Sequence, residues 1–347
     1  MPFAPFALQW RTPFPNPPNP TPVPAGVSRT YIPTPSGPLE LLSAIPSNPS
    51  PIPPIFFAHG GFGCAEIWLQ WMQFFCSKGI ACYAMSYRGH GKSWYPSFLR
   101  MCFTTRGMMA GDLVAGIKFV EGLERERRKR SEDVKVILVA HSAGGGLSQY
   151  ILSQGLLKVH AFCMCAAVPG FGSVAVYKFW SWMIPFHFPY RLFHPRHVLA
   201  TTSQVKSAFF SPQIPLSSVR IFEKLLAPYE SLLWPSQMLP SFVNPTALLS
   251  NIVGWNRSAS STKPNADKLL VLAAEYDVLC TPKVLLDAAE RYMKAFSDMV
   301  RRNAILEEGG ESEGVRFRVV PGVGHHLMND VEWERGAEEI FEWLQTL

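Results

Sequence analysis

Three side chains that can cooperate in acyl transfer follow separate apolar segments of the chain. Ser142 comes just after VKVILVA, Asp277 directly follows KLLVLAAEY, and His325 lies in PGVGHH after the segment FRVV. A serine hydroxyl is a weak nucleophile that needs a base, and that base needs an acid to orient it. The arrangement predicts nucleophilic catalysis, with Ser142 as nucleophile, His325 as base and Asp277 as acid.

The residues around Ser142 predict a sharp turn. They read Ala140-His141-Ser142-Ala143-Gly144, where an apolar strand ends and a helix begins. Small residues on both sides of the serine permit a strained strand-to-helix turn, the nucleophile elbow, which exposes the hydroxyl. Ala140 stands where this pattern usually has its first glycine, so the turn has to accommodate one additional methyl group.

The elements that would position these residues alternate along the chain. Two short β-like stretches form a predicted hairpin, and six further strands then alternate with segments of helical periodicity. Continuous apolar strands that alternate with helices predict a mainly parallel α/β sheet with helices on both faces. The predicted strands of this sheet lie at 54–60, 80–86, 134–140, 160–168, 268–276 and 315–320.

Two segments depart from this alternation. Residues 1–27 are rich in proline, which predicts an extended N-terminal arm. Residues 169–266 are rich in Trp, Phe and Pro, and their length predicts a small helical insertion, which we interpret as a cap. The α/β core is then expected to comprise residues 28–168 and 267–347.

Composition and charge limit the possible partners. Of the 347 residues, 48% are hydrophobic and 17% are charged, with no apolar run long enough to span a bilayer, so we expect a globular protein without a transmembrane segment. Much of the net charge of +6 comes from ERERRKR at 124–130, which we interpret as a solvated helix end, with no nucleic-acid partner. Seven cysteines without zinc-site spacing predict reduced thiols, no metal site and a cytoplasmic location.

One stretch, YRGHGKS at 87–93, ends like a phosphate-binding loop. That loop requires a glycine five positions before Gly91, where its backbone amides surround the phosphates. Ser86 occupies this position. We therefore predict no nucleotide cofactor. We also expect no other cofactor.

Taken together, the chain resembles the α/β-hydrolase superfamily over about residues 28–347, apart from the cap. The resemblance rests on HGGFG (59–63), YRGHGKS, AHSAGG (140–145), EYDVLCTP (275–282) and GVGHH (322–326). It implies the α/β-hydrolase fold with a helical cap, of the serine-hydrolase type. It also implies that the RGHG loop packs beside the active site without binding phosphate.

The resemblance also assigns a role to HGGFG, because the family places its oxyanion loop after the third strand. A tetrahedral intermediate carries a negative oxygen, and each backbone amide aimed at it typically lowers the barrier by about 3 kcal/mol. We assign these donors to the amides of Gly61 and Ala143, with Phe62 as an additional candidate. His141, inside the elbow, is predicted to line the substrate pocket.

Two site assignments have a neighbouring alternative. His326 adjoins His325, and the family pattern favours the first histidine after the glycine. Glu275 lies two residues before Asp277, and alternation along a strand sends both side chains to the same face. Position at the strand end favours Asp277 as the acid that orients the histidine.

The expected activity is hydrolysis of a carboxylic ester or thioester through an acyl-enzyme on Ser142. The aromatic cap favours an apolar acyl group on the substrate. Acyl transfer, lyase or peptidase chemistry on the same triad is an alternative, and so is a ligand-binding protein without activity.

Overall fold

The computed structural model describes residues 8–12, 14–129, 134–255, 267–302 and 314–347. Within these residues the chain forms an eight-stranded sheet with the strand order β1-β2-β4-β3-β5-β6-β7-β8. The strands are β1 (Val27–Ile32), β2 (Leu39–Ala44), β3 (Ile55–Ala58), β4 (Cys82–Met85), β5 (Ile137–His141), β6 (Ala161–Cys165), β7 (Leu269–Ala274) and β8 (Val315–Val320).

Most neighbouring strands of this sheet are parallel. β1 pairs with β2 and β2 pairs with β4 in antiparallel register, and every other pairing is parallel. Strands β3 to β7 are buried along their whole length, as expected for continuous apolar segments covered on both faces. The predicted α/β architecture with a mainly parallel sheet is therefore confirmed.

Two groups of helices cover the sheet. Helix α1 packs against α12, while α4 packs against α3 and α10, and α10 packs against α11. The helices are α1 (Leu69–Ser77), α2 (Phe98–Cys102), α3 (Arg106–Arg127), α4 (Ser142–Ser153), α5 (Val174–Tyr177), α6 (Ile184–Tyr190), α7 (Thr202–Phe209), α8 (Leu216–Phe222), α9 (Leu233–Ser236), α10 (Pro245–Ser250), α11 (Pro282–Arg301) and α12 (Trp333–Gln345). Among the described residues, none of these helices has both the length and the apolar character needed to cross a membrane.

Helix α11 illustrates how the sequence sets these elements. Thr281 precedes the helix and its hydroxyl accepts a hydrogen bond from the Val284 amide, while Pro282 occupies the first turn, where no amide proton is needed. The helix buries residues at intervals of three and four, including Leu285 and Tyr292. This apolar face fixes α11 against β7 and β8, so that Asp277 comes between a buried strand and a capped helix.

The segment from 169 to 255, which we call the inserted segment, follows β6 and contains α5 to α10. Its first five helices have between four and eight residues each. The last, α10, packs against α4 and α11 of the core. Residues 256–266, the end of the predicted insertion, lie outside the described residues.

The loop that contains RGHG is held by protein carboxylates. The Arg88 guanidinium pairs with both oxygens of Asp112, at 2.8 and 2.5 Å. The Lys92 amide donates to Glu40 Oε2 at 2.8 Å, and a side chain at Gly91, where φ is +52°, would approach that oxygen to 2.5 Å. The Glu40 carboxylate thus lies beside the backbone of Gly91 and Lys92, where a phosphate-binding loop would hold its phosphate.

Candidate active site

The predicted elbow is present at Ser142, where β5 ends and α4 begins. Ser142 has a φ of +51°, a left-handed conformation that non-glycine residues rarely adopt. The surrounding backbone is too close for larger residues, since a Cβ at Gly144 would lie 2.1 Å from the His59 carbonyl oxygen. Ala140 is fully buried in β5, so its methyl group is accommodated within the core.

A continuous chain of hydrogen bonds joins the three predicted side chains. Ser142 Oγ lies 2.9 Å from His325 Nε2, and His325 Nδ1 lies 2.8 Å from Asp277 Oδ2. The carboxylate accepts the Nδ1 proton, which leaves Nε2 free to accept the serine proton. This is the geometry of a nucleophile, a general base and an orienting acid.

The Asp277 side chain is held by backbone amides of the residues that follow it. Its Oδ1 accepts hydrogen bonds from the amides of Leu279 and Cys280, at 2.8 and 2.9 Å. The Asp277 side chain is buried, as is the His325 ring. A buried carboxylate with both oxygens engaged holds the imidazole in one orientation.

The two alternative residues lie elsewhere. The Glu275 carboxylate accepts the Gly322 amide proton at 2.8 Å on the exposed side of the strand end. His326 is buried with its ring between Phe209 and Phe222, and burial lowers its pKa well below the usual value. Although His326 lines the cavity at Ser142, neither side chain forms a described hydrogen bond with the Ser142 hydroxyl.

The side chain of His141 contacts the backbone of His325. Its Nε2 donates to the His325 carbonyl at 2.9 Å, and its ring lies 4.8 Å from the His325 ring. Burial lowers the pKa of His141 well below the usual value, so the ring is neutral. His141 also lines the cavity at Ser142.

The predicted amide donors differ in their surroundings. Gly61 and Ala143 both line the cavity beside Ser142, and Ala143 lies in the first turn of α4, where amides have no acceptor within the helix. The Phe62 amide instead donates to Glu230 Oε2 at 2.9 Å, and the Phe62 carbonyl accepts from the Ala227 amide at 2.8 Å. Phe62 is thus bound to the inserted segment through both its backbone groups.

Glu230 is a site residue that the sequence reasoning missed. The side chain is buried, and Oε2 also accepts a hydrogen bond from His90 Nε2 at 2.8 Å. Its Oε1 accepts from the Ser231 amide at 2.7 Å. One signal was available, because Glu223 and Glu230 are the only carboxylates between residues 134 and 266.

His90 connects Glu230 to the RGHG loop. Its Nδ1 lies 2.9 Å from the Arg88 carbonyl, and its Nε2 faces the Glu230 carboxylate. Both partners only accept hydrogen bonds, so this geometry requires a proton on each ring nitrogen. Burial alone would lower the pKa of His90, but Glu230 and the Arg88 carbonyl raise it above its usual value.

A cavity of about 180 Å³ lies over Ser142. Its walls are mainly apolar, and most of them come from the inserted segment. The apolar lining residues of that segment are Val176, Tyr177, Trp180, Ile184, Pro195, Val198, Leu199, Phe209, Leu232, Trp234 and Pro235.

Among the described residues, one group has three potential metal ligands within 4.8 Å of one another, namely Asp277, Cys280 and His325. Both Asp277 oxygens and both His325 nitrogens already have hydrogen-bond partners. Burial raises the pKa of the Cys280 thiol well above its usual value, which keeps the thiol protonated. The group fits a catalytic hydrogen-bond chain better than a metal site.

Comparison with known proteins identifies the family. Residues 55–342 match the model of the alpha/beta hydrolase family, so the chain belongs to this family. The predicted α/β-hydrolase fold is confirmed by this match and by the solved structures that resemble the chain. No curated protein sequence gave a match.

Several solved structures share the fold at low sequence identity. A carboxyl esterase from Bacillus coagulans is 13% identical with a TM-score of 0.61, and the alignment covers 93% of this chain and 99% of the esterase. A thermophilic esterase from Thermogutta terrifontis is 16% identical with a TM-score of 0.58, covering 92% of this chain and 98% of that one. A thioesterase domain from the curacin biosynthetic pathway is 14% identical with a TM-score of 0.51, covering 92% and 99%.

Proposed function

We propose that this α/β hydrolase is a serine hydrolase that cleaves a carboxylic ester or thioester of an apolar acyl group. The observation that carries the proposal is the hydrogen-bond chain from Asp277 through His325 to Ser142, which lines an apolar cavity. The similar solved structures include esterases and a thioesterase domain, which supports the same class of reaction.

The proposed reaction has two stages. Ser142 Oγ attacks the acyl carbonyl while His325 Nε2 takes the hydroxyl proton, and Asp277 stabilises the imidazolium that forms. His325 then returns the proton to the leaving alcohol or thiol, which leaves an acyl group on Ser142. Water, deprotonated by His325, attacks this acyl-enzyme, and the bond to Ser142 Oγ breaks as His325 returns the proton to that oxygen and the acid is released.

The proposed oxyanion hole consists of the Gly61 and Ala143 amides. Both residues line the cavity next to Ser142, and the positive end of the α4 dipole supports a negative charge at this point. The Phe62 amide is omitted, because a carboxylate already accepts its proton. We also propose that the inserted segment acts as a cap that covers the acyl group.

Glu230 is proposed as a positioning residue for the oxyanion loop, residues 59–63. It fixes the Phe62 peptide directly after Gly61 and is itself held by the His90 ring. Because Phe62 has a φ of +61°, the loop depends on such contacts to keep this conformation.

We expect Glu230→Gln to lower kcat by about ten- to a hundredfold with KM changed by less than about threefold, since the oxyanion donor matters most in the transition state. Steady-state kinetics on a chromogenic ester measures both constants. Glu223→Gln, which removes the other carboxylate of the inserted segment, is the matched control. An unchanged kcat in Glu230→Gln, or a rise in KM alone, would contradict the positioning role.

Acyl-chain preference tests the substrate class. The apolar cavity predicts that kcat/KM rises about fourfold per methylene from acetyl to medium-length acyl esters, since each buried methylene contributes about 0.8 kcal/mol. Trp180→Ala is expected to reduce this slope because Trp180 lines the cavity, whereas Trp182→Ala alters an exposed neighbour and leaves the slope unchanged. A preference for short charged esters would exclude an apolar acyl substrate.

Product analysis separates hydrolysis from the other reactions of such a triad. With an added alcohol or amine, a hydrolase is expected to release mainly the free acid. Mainly transfer product would instead assign the protein to the acyltransferases, and tight binding without turnover would indicate a ligand-binding role.

A further inference from the structure

The outer face of the inserted segment exposes an unusual number of large apolar side chains. Helix α6 reads IPFHFPY and buries none of its residues. The exposed fraction is 69% for Trp182 and 72% for Phe186, and Tyr190, Leu192 and Phe193 are also exposed. Isolated exposed apolar residues are ordinary, but a concentration of this kind marks an interaction surface.

Two other parts of the chain extend this surface. The Trp10 ring lies 5.1 Å from the His194 ring, and Phe98 lies 5.4 Å from the same ring. These contacts bring the N-terminal residues and α2, with the exposed side chains of Leu99 and Phe103, next to residues 192–193. We call the whole set the apolar face, which consists of Trp10, Leu99, Phe103, Trp182, Phe186, Tyr190, Leu192 and Phe193.

The stretches of sequence that supply the apolar face carry basic but no acidic residues. All of its residues come from three stretches without a single Asp or Glu, at 1–39, 67–111 and 134–222. Exposed basic residues, Arg11, Arg100 and Lys178, accompany the apolar side chains. Trp and Tyr prefer the boundary between lipid and water, and basic residues are attracted to anionic headgroups.

We propose that the apolar face binds the surface of an anionic lipid bilayer. The aromatic side chains would enter the boundary region, and Arg11, Arg100 and Lys178 would contact acidic headgroups. A second copy of the chain fits this face less well, because a symmetric contact would bring two positively charged surfaces together.

This surface lies on the wall of the proposed active site. Residues Tyr177, Trp180 and Ile184 line the cavity, while Trp182 and Phe186 from the same stretch are exposed. Bilayer binding would therefore place the cavity wall against the lipid, where apolar esters accumulate. The binding itself does not depend on the proposed chemistry.

Vesicle flotation tests the proposal with the full-length protein. We expect it to float with phosphatidylcholine vesicles that contain about 30% phosphatidylserine, to bind pure phosphatidylcholine less, and to lose part of its binding in about 1 M salt. Trp182→Ser combined with Phe186→Ser is expected to weaken the partition coefficient by about tenfold or more.

The matched control carries Leu286→Ser and Val319→Ser. These substitutions remove two exposed apolar side chains that belong to α11 and β8 and not to the apolar face, so this variant should float like the wild type. Both double variants should hydrolyse or bind a water-soluble ester as the wild type does, which confirms folding. Wild-type protein that stays unbound on both kinds of vesicle would overturn the proposal. Equal flotation of the two double variants would overturn it too. So would a wild-type protein that does not float but forms a dimer, if Trp182→Ser combined with Phe186→Ser dissociates that dimer.

Discussion

Ser142→Ala is expected to lower kcat/KM for ester hydrolysis by about 10⁴-fold or more, because no other group at the elbow can form the acyl-enzyme. The remaining rate would come from binding and from the amides of Gly61 and Ala143, which the substitution leaves in place. The thermal unfolding midpoint should stay close to that of the wild type, since only one oxygen atom is removed. Steady-state kinetics with a chromogenic ester provides the measurement.

Ser148→Ala is the matched control for this variant. Ser148 lies in the same helix, is buried, and donates its hydroxyl proton to the Gly144 carbonyl at 2.8 Å without facing His325. It should retain nearly full activity. Comparable loss in both variants would attribute the effect to a disturbed helix, and retained turnover in Ser142→Ala would exclude Ser142 as the nucleophile.

Asp277→Asn is expected to lower kcat by about 10³- to 10⁴-fold. The side-chain oxygen can still accept the amide protons of Leu279 and Cys280, so the strand end should keep its conformation. The amide group, however, donates a hydrogen bond towards His325 and thereby favours the tautomer with its proton on Nε2. That tautomer cannot accept the Ser142 proton.

Glu275→Gln distinguishes the two acidic residues at this strand end. Glu275 accepts only the Gly322 amide proton among the hydrogen bonds described, and a glutamine can preserve this contact. We expect kcat to change by less than about twofold, because the substitution leaves the imidazole untouched. Loss of activity in Glu275→Gln with activity retained in Asp277→Asn would reverse the assignment of the acid.

The sequence predicted the parts of this protein that depend on short-range patterns. Continuous apolar segments identified the parallel strands, and small residues around Ser142 identified the turn at the end of β5. Because the carboxyl ends of parallel strands meet at one edge of a sheet, residues at those ends could be placed together without coordinates. The close approach of Ser142, Asp277 and His325 follows from that rule.

Other features depend on contacts between distant residues and were not predictable in this way. Glu230 and Phe62 are separated by 168 positions, and nothing in HGGFG indicates that the Phe62 amide donates its proton to a side-chain carboxylate. Periodicity could not separate Glu275 from Asp277, because both side chains were expected on the same face. The structure distinguishes them, because Asp277 is buried and bonded to His325, whereas Glu275 is exposed and accepts the Gly322 amide proton.

The aromatic composition of the inserted segment was visible in the sequence, but its meaning was not. Composition alone cannot tell which aromatic side chains line a cavity and which are exposed, since Trp180 and Trp182 lie only two positions apart. The short helices of this segment lack the long periodicity that separates a buried face from an exposed one. The apolar face therefore emerges only from the three-dimensional arrangement.

The most direct test of the proposed chemistry is labelling with a fluorophosphonate probe, because this probe reacts with an activated serine whatever the natural substrate is. Mass spectrometry of the digested protein should locate the modification on Ser142, with no label on that peptide in Ser142→Ala. The folded wild-type protein is compared with a heat-denatured sample, in which the label should disappear. Folded protein that remains unlabelled, or a label on a different residue, would contradict the assignment of Ser142 as the catalytic nucleophile.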